Sequence, residues 1–482
     1  MQSVKKNFLY QSIYEVLFLL LPLMTSPYIS RVLGASNIGI YAYTYSIVNY
    51  FVLFCNLGIK NYGNREISRN RDNPEKLNRT FSGILFLHFL ISAIVFIVYI
   101  GYILYARKEY RLYVIIQSLY VVSAFIDISW LFFGLEEFKI TVTRNSIIKI
   151  VSALSIFVFV RNQHDLWIYI LILATANLFS NTYLWFYVKK YVTICRVSRK
   201  DIVRHLPQMF VLFIPGIAVS LYNYMDKIML GSMTTTVELG FYENAEKITT
   251  TVFSIIGALG TVMLPRMSNI AAKGETDKAH KYIENSMKLV MCLSFALSFG
   301  IAAVAEVFSP IFWGNEFTKC DILIKFLSII VPIKAFANVL RTQYLIPNKI
   351  DRGHVISVCC GAIVNVILNI LLIPHLRSLG ATIGTIAAEF SVCIVVAVYS
   401  HRELPLAKYI KNGLIYILFG VVMYISVNLI GKCFETNLIT LIVQIVTGTC
   451  LYGTLCLAYF LYNKVNPFYS SIIAIFNGIR KS

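Results

Sequence analysis

Apolar runs alternate with short polar connections along almost the whole chain, and fourteen such runs can be counted between residues 8 and 462. At roughly 20 residues each, they match the ~30 Å hydrocarbon core of a bilayer. In lipid a spanning segment must pair every backbone N–H and C=O internally, so the runs predict helices. The predicted spans are 9–33, 39–59, 81–105, 112–133, 143–161, 166–188, 208–232, 239–263, 288–312, 321–345, 355–375, 380–401, 412–431 and 438–462. Spans four and five are the least regular, because Asp127, Arg144 and Lys149 interrupt them. Lys5 and Lys6 before the first run look like the start of a signal peptide. That run continues past Ile29 without a small-residue cleavage site, so it is read as the first span.

Two places along the chain read alike. Arg31-Val-Leu-Gly34 leads into Gly39-Ile-Tyr41, and Ile228-Met-Leu-Gly231 leads into Gly240-Phe-Tyr242. Each sets a helix end, a short connection and a Gly-x-Tyr helix start in the same order. Both leading spans contain proline: Pro22 and Pro27 in the first, Pro215 in the seventh. Proline removes a helical hydrogen bond and kinks the helix. Interruptions at matching places in two halves mark the moving parts of a transporter, so these prolines and Pro332 in span ten are hinge candidates. Six spans separate the copies, giving the halves the same topology. The expected division is an N-terminal lobe at 1–206, a C-terminal lobe at 207–403, and a third part, 404–482, holding spans 13 and 14 and the tail.

Composition agrees with this picture. Only 14% of the 482 residues are charged and 57% are hydrophobic, against about 25% charged in soluble domains. The net charge of +19 is concentrated at 60–79, 189–204 and 266–288, connections on the same side as the N-terminus. That asymmetry is the positive-inside rule, which places both termini in the cytoplasm and makes anionic headgroups, not nucleic acid, the natural partner. Ten cysteines and seven histidines form no metal-ligand spacing, and no P-loop is present. Neither a metal, a cofactor nor a catalytic residue is expected.

Candidate chemistry lies in charges at membrane depth, each costing at least ~2.5 kcal/mol near a helix centre. Arg31, Lys149, Lys227, Lys334 and Arg341 would suit an anionic headgroup such as a pyrophosphate; arginine grips it bidentately and lysine serves as a mobile point charge. Asp127, Asp226, Glu243 and Glu246 are candidates for ion coupling or for buried pairing. Asp226 and Lys227 point about 100° apart on a helix and cannot cancel each other, so Glu246, Asp127 and Arg31 are their candidate partners. Plainer readings stand beside these. Glu243 and Lys247 are an i, i+4 pair, and Glu306, Lys325 and Arg341 lie near span ends where they can reach headgroups.

These residues resemble the bacterial polysaccharide (oligosaccharide-lipid) flippases of the multidrug/oligosaccharidyl-lipid/polysaccharide exporter superfamily. The resemblance rests on Pro27-Tyr-Ile-Ser-Arg31-Val-Leu-Gly34 with Gly39-Ile-Tyr41, and on Asn56-Leu-Gly58-Ile-Lys-Asn-Tyr-Gly63-Asn-Arg65-Glu66-Ile. In the second half it rests on Tyr224-Met-Asp226-Lys227-Ile-Met-Leu-Gly231 and Gly240-Phe-Tyr242-Glu-Asn-Ala245-Glu-Lys247-Ile248. It implies an all-α integral membrane fold of 14 helices: two pseudo-symmetric six-helix lobes around a central cavity, plus two extra C-terminal helices. It implies a monomer of the bacterial cytoplasmic membrane that moves undecaprenyl-pyrophosphate-linked oligosaccharide between leaflets. Coupling would be to a proton gradient, a sodium gradient or the membrane potential. Arg65 and Glu66 fall where the family has its Arg-Glu after span two, a cytoplasmic gate in one reading and a solvated ion pair in the other. Glu243 and Glu246 depart from the family pattern. A multidrug cation antiporter of the same superfamily and a membrane polysaccharide polymerase are the competing readings; the antiporter would need a cavity of net negative charge.

Overall fold

The computed structural model describes residues 2–465 with Phe468 and Tyr469, and side chains from Leu21 onward except at 138, 215, 218 and 222. Every regular element among them is helical: α1 (Gln2–Asn56), α2 (Ile59–Asn70), α3 (Pro74–Tyr105), α4 (Arg111–Phe125), α5 (Ser129–Gly134) and α6 (Phe138–Phe159). Then follow α7 (Leu166–Tyr191), α8 (Arg199–Val203), α9 (Leu206–Met233), α10 (Thr236–Ala272), α11 (Thr276–Trp313), α12 (Cys320–Leu327) and α13 (Ile330–Leu340). The last of the described elements are α14 (Asp351–Leu376), α15 (Ser378–Ser400), α16 (Leu406–Cys433) and α17 (Leu438–Tyr462).

Twelve stretches among the described residues are long and apolar enough to cross a membrane. The first, Leu21–Asn70, contains a break at Gly34, and the apolar 28-residue α9 is additional to the twelve. Dividing the one and adding the other restores the fourteen spans read from the sequence. The fold is that of an all-helical integral membrane protein.

Residue contacts divide the chain into two compact units, Met1–Gly240 and Phe241–Ser482. The second lobe expected from the sequence repeat starts at residue 207, whereas the contact boundary lies later because α9 packs on α1 and α2. Gly58 (φ 75°) makes this possible. A Cβ there would stand 2.5 Å from the Met209 carbonyl oxygen.

Within the first unit, α1 continues through Pro22 and Pro27 and leaves helical geometry at Gly34 (φ 77°, ψ 170°). That backbone region favours glycine, so the reversal between spans one and two is set there and not at the prolines. The Gly-x-Tyr motifs mark a close crossing. A Cβ on Gly39 would lie 1.7 Å from the Thr236 carbonyl oxygen, and one on Gly240 would lie 2.0 Å from that of Ala35. The Ser36 and Thr236 hydroxyls share a 2.9 Å hydrogen bond beside it. Small residues let membrane helices approach closely in this way.

Span four is two helices, broken around Asp127, whose carboxylate accepts the Ser129 N–H at 2.9 Å and opens α5. Short polar side chains break helices by offering the backbone this local partner. Arg144 in α6 is buried, donating to the Ser180 carbonyl on α7 (2.7 Å) and to Asn145 Oδ1.

In the second unit, span ten is also segmented: α12, α13, then a π-turn at Arg341–Leu345. Pro332 explains the first break. Its ring obstructs the carbonyl four residues back, that of Ser328. The Ser328 carbonyl instead accepts the Ser298 hydroxyl of α11 at 2.7 Å. The helices α14 and α15 pack through Asn365, Asn369, Gly361 and Gly384. Spans 13 and 14 belong to this unit. Gly420 of α16 sits against Phe299 of α11, and the Tyr452 hydroxyl of α17 donates to the Cys292 carbonyl at 2.8 Å.

Candidate functional site

The first unit holds a cavity of about 560 Å³. Helix α2 forms one wall. Its apolar face (Ile59, Tyr62, Gly63, Ile67) is buried, with Gly63 directly against the Trp130 indole of α5. Tyr62, Glu66, Arg69 and Asn70, spaced i, i+4, i+7 and i+8 along one edge of that face, line the cavity. Asn73 then caps α3, accepting the Lys76 N–H at 3.0 Å, and Pro74 occupies the first turn, where its missing N–H has no cost. This start places Lys76, Arg79 and Thr80 on the cavity side of α3. The third wall is the segment after α8, with Arg204, His205 and Gln208. Four cations and one carboxylate therefore line it, with His205 neutral and a second carboxylate, Asp201, held against two of the cations.

These groups are held by specific contacts. Arg79 donates through Nε (3.2 Å) and Nη2 (2.8 Å) to Asp201 Oδ2, and Arg204 Nη1 lies 3.6 Å from Asp201 Oδ1. Ser198 completes a capping box with the same aspartate. The Arg79 hydrogen bonds, then the Ser198 hydroxyl, hold the Asp201 carboxyl down at about 2. Glu66 pairs with Arg69 (3.1 Å) and Arg65 (3.4 Å), while Arg65 also donates to Gln208 Oε1 (2.9 Å). The Arg-Glu pair expected as a gate is thus tied to the start of α9.

The Tyr62 hydroxyl meets His205 Nδ1 at 2.6 Å, and the Nε2 side lies against Gly83, 3.0 Å from where a Cβ would be. Burial, then the Arg204 charge, lowers His205 to about 4. A histidine whose folded pKa is depressed stabilises the fold fully above its unfolded value near 6.5 and loses that contribution as pH falls toward 4. The thermal midpoint of the wild-type chain is therefore expected to drop between pH 6.5 and 4. His205→Gln should show a shallower slope in the same window; equal slopes would contradict the assignment.

Several of the sequence candidates lie elsewhere. In the first unit Arg31 is exposed near the end of span one, Lys149 is half-buried on α6, and on α9 Asp226 is buried beside half-buried Lys227. Pro215 lies in α9, its side chain outside the described set. Asp127 pairs with Lys60 at the start of α2 (3.1 Å), a partner the sequence reading did not consider. Glu243 and Glu246 are half-buried in the first turns of α10. In the second unit Lys334 forms a 2.8 Å ion pair with Glu389 and lies 5.1 Å from the Phe253 ring centroid. Arg341 opens the π-turn and donates to Asn338 Oδ1 at 2.9 Å. Lys325, expected to reach headgroups, contacts Asp321 (3.4 Å) and Glu306 (3.5 Å).

Sequence reasoning missed the cavity itself. Arg69, Lys76, Arg79 and Arg204 were counted only within the basic clusters 60–79 and 189–204. The density of those clusters was the available signal, and their convergence across more than 120 residues was not visible in it.

Comparison with known proteins places this architecture. The family model for polysaccharide biosynthesis proteins matches residues 4–271, and the MatE model matches 212–371. A protein of Escherichia coli (strain K12) named as an O-antigen transporter is 23% identical over 398 residues, covering 82% of this chain and 95% of that protein. A Haloferax volcanii protein named as a low-salt glycan biosynthesis flippase is 27% identical over 258 residues, 49% of this chain and 50% of that protein. Among solved structures, the lipid II flippase MurJ in an inward closed conformation superposes with a TM-score of 0.80 at 14% identity, covering 95% of this chain and all of that one. An inward-facing multidrug resistance MATE family transporter gives 0.59 at 16% identity, covering 81% of this chain and 95% of that one. With more than half its length matched by the family model and its fold shared with both transporter types, the chain belongs to the polysaccharide biosynthesis protein family of the multidrug/oligosaccharidyl-lipid/polysaccharide exporter superfamily.

Proposed function

We propose that the chain is a flippase that moves undecaprenyl-pyrophosphate-linked oligosaccharide repeat units from the cytoplasmic to the outer leaflet for surface polysaccharide assembly. The observation that carries this reading is the sign of the cavity in the first unit, four lining cations against the carboxylates of Glu66 and Asp201. An anionic headgroup suits it, and a cationic drug does not, which disfavours the antiporter alternative. The names of the E. coli and Haloferax relatives point the same way. In this reading no bond is made or broken in the cargo, whereas a polymerase would join the exported units.

In this reading the protein sits in the bacterial cytoplasmic membrane as a monomer with both termini cytoplasmic. Its repeat lobes, 1–206 and 207–403, alternate access, and 404–482 supports the second. Arg31, Lys149, Lys227, Lys334 and Arg341 guide the pyrophosphate. Asp127, Asp226, Glu243 and Glu246 pair with cations or carry a proton or sodium ion, Arg65 and Glu66 gate the cytoplasmic side, and Pro22, Pro27, Pro215 and Pro332 act as hinges.

The test is a gene deletion followed by measurement of surface polysaccharide and of lipid-linked intermediates in each leaflet. Loss of polymer with complete repeat units retained in the inner leaflet is the expected result. Normal export with raised toxicity of cationic dyes would transfer the chain to the antiporters, and exported but unjoined units would make it a polymerase.

A further inference from the structure

We propose that the basic cavity of the first unit is a docking site for a phosphate or pyrophosphate ester at the membrane surface, where the headgroup is held before translocation. The proposal rests on the flippase reading above and adds a separate station to it, distinct from the cations at membrane depth.

Three observations carry it. Volume is the first: about 560 Å³ falls within the ~300–1,000 Å³ of small-molecule sites and accommodates a pyrophosphate with attached groups. Donor geometry is the second. Arg79 presents a guanidinium fork that Asp201 engages through two N–H groups only, of the five that an arginine carries. Arg204 approaches the same carboxylate more loosely, at 3.6 Å. The site already holds two carboxylates of its own, Asp201 on Arg79 and Arg204 and Glu66 on Arg69, so its arginines are oriented for oxyanions while Lys76 adds a further cation. Preorganisation is the third. The capping box of α8, the Arg65–Gln208 bond and the Tyr62–His205 bond fix the walls without a ligand, so little ordering remains to be done on binding. The span ends that frame the cavity place it at headgroup level under the positive-inside orientation. An isoprenoid pyrophosphate and an anionic phospholipid share the required chemistry.

The experiment uses the full chain in nanodiscs of zwitterionic lipid, titrated calorimetrically with farnesyl pyrophosphate and with inorganic pyrophosphate. Arg69 and Arg204 are largely exposed, with side chains 64% and 52% accessible, so Arg69→Gln and Arg204→Gln should fold. Each is expected to weaken farnesyl pyrophosphate binding about tenfold or more, as loss of a charge-assisted contact does. Arg402→Gln, which removes the same charge from an exposed position in the second unit, should leave binding unchanged. If phosphatidylglycerol in the nanodisc displaces the probe, the natural occupant is a phospholipid headgroup. If it does not, the occupant is the lipid-linked pyrophosphate. Absence of saturable binding, or equal weakening by Arg402→Gln, overturns the proposal. A double variant that fails to bind yet exports polymer normally also sinks the docking site while leaving the flippase reading intact. Normal export in the deletion strain would sink the flippase reading alone.

Discussion

Lys334→Met is expected to destabilise the chain by roughly 3 kcal/mol, because it leaves Glu389 as a buried carboxylate without its ammonium. The estimate takes the low end of the range for breaking a buried pair, since Glu389 is 5% exposed but Lys334 is 32% exposed. Their separation of 2.8 Å and the Phe253 ring beside the ammonium leave the pair well matched. Replacing both residues, Lys334→Met with Glu389→Gln, removes both charges and should recover most of the loss, as measured by denaturant titration in detergent micelles. The double variant also separates two roles for Lys334. If the lysine only neutralises Glu389, export returns with stability. If it also guides the cargo's phosphates, stability returns and export does not. Failure of the double variant to recover stability would show that the pair is not the dominant contact of either residue.

Gly39→Ala and Gly240→Ala should each cost about 3 kcal/mol, near the top of the range for overpacking. The obstructing atoms are backbone carbonyl oxygens, at 1.7 Å and 2.0 Å from the new methyl, so no side chain can rotate aside. The two helix starts would have to separate, breaking the Ser36–Thr236 hydrogen bond with them. Gly101→Ala and Gly453→Ala supply the control, since nothing lies within 4 Å of either position. They should be neutral or stabilising by up to about 1 kcal/mol through helix propensity. Thermal midpoints of the four purified variants decide the matter. A crossing that tolerates alanine as well as position 101 does would show that this contact is not maintained in the purified protein.

These cases show why some features were legible from sequence and others were not. Hydrophobic runs marked the spans because lipid demands unbroken apolar helices, and the Gly-x-Tyr repeat was visible because a close crossing tolerates only glycine. Span interruptions were seen at Asp127, but its partner Lys60 lay in a stretch read as solvated connection. The break of α1 falls at Gly34, inside the connection read between spans one and two, and not at Pro22 or Pro27. Proline obstructs a helix only through the carbonyl four residues back, whereas Gly34 supplies a conformation that other residues avoid. Pro332 did mark a break, because the Ser298 hydroxyl on α11 compensates the displaced carbonyl. Charge clusters proved the least legible. A run of Lys and Arg looks the same whether it meets water, headgroups or a shared aspartate, and Asp201 is separated from Arg79 by 122 residues.

Gly83 stands behind the cavity wall, against the His205 ring that lines it. It carries no charge and makes no hydrogen bond through a side chain, yet it leaves room for the His205 ring, with the Asp201 carbonyl also 3.3 Å from where a methyl would stand. Any larger residue there would act as a wedge from behind, driving the imidazole inward while every cation kept its place in the sequence. Capacity and charge in this cavity are therefore governed by different residues, and its size can change without altering its sign.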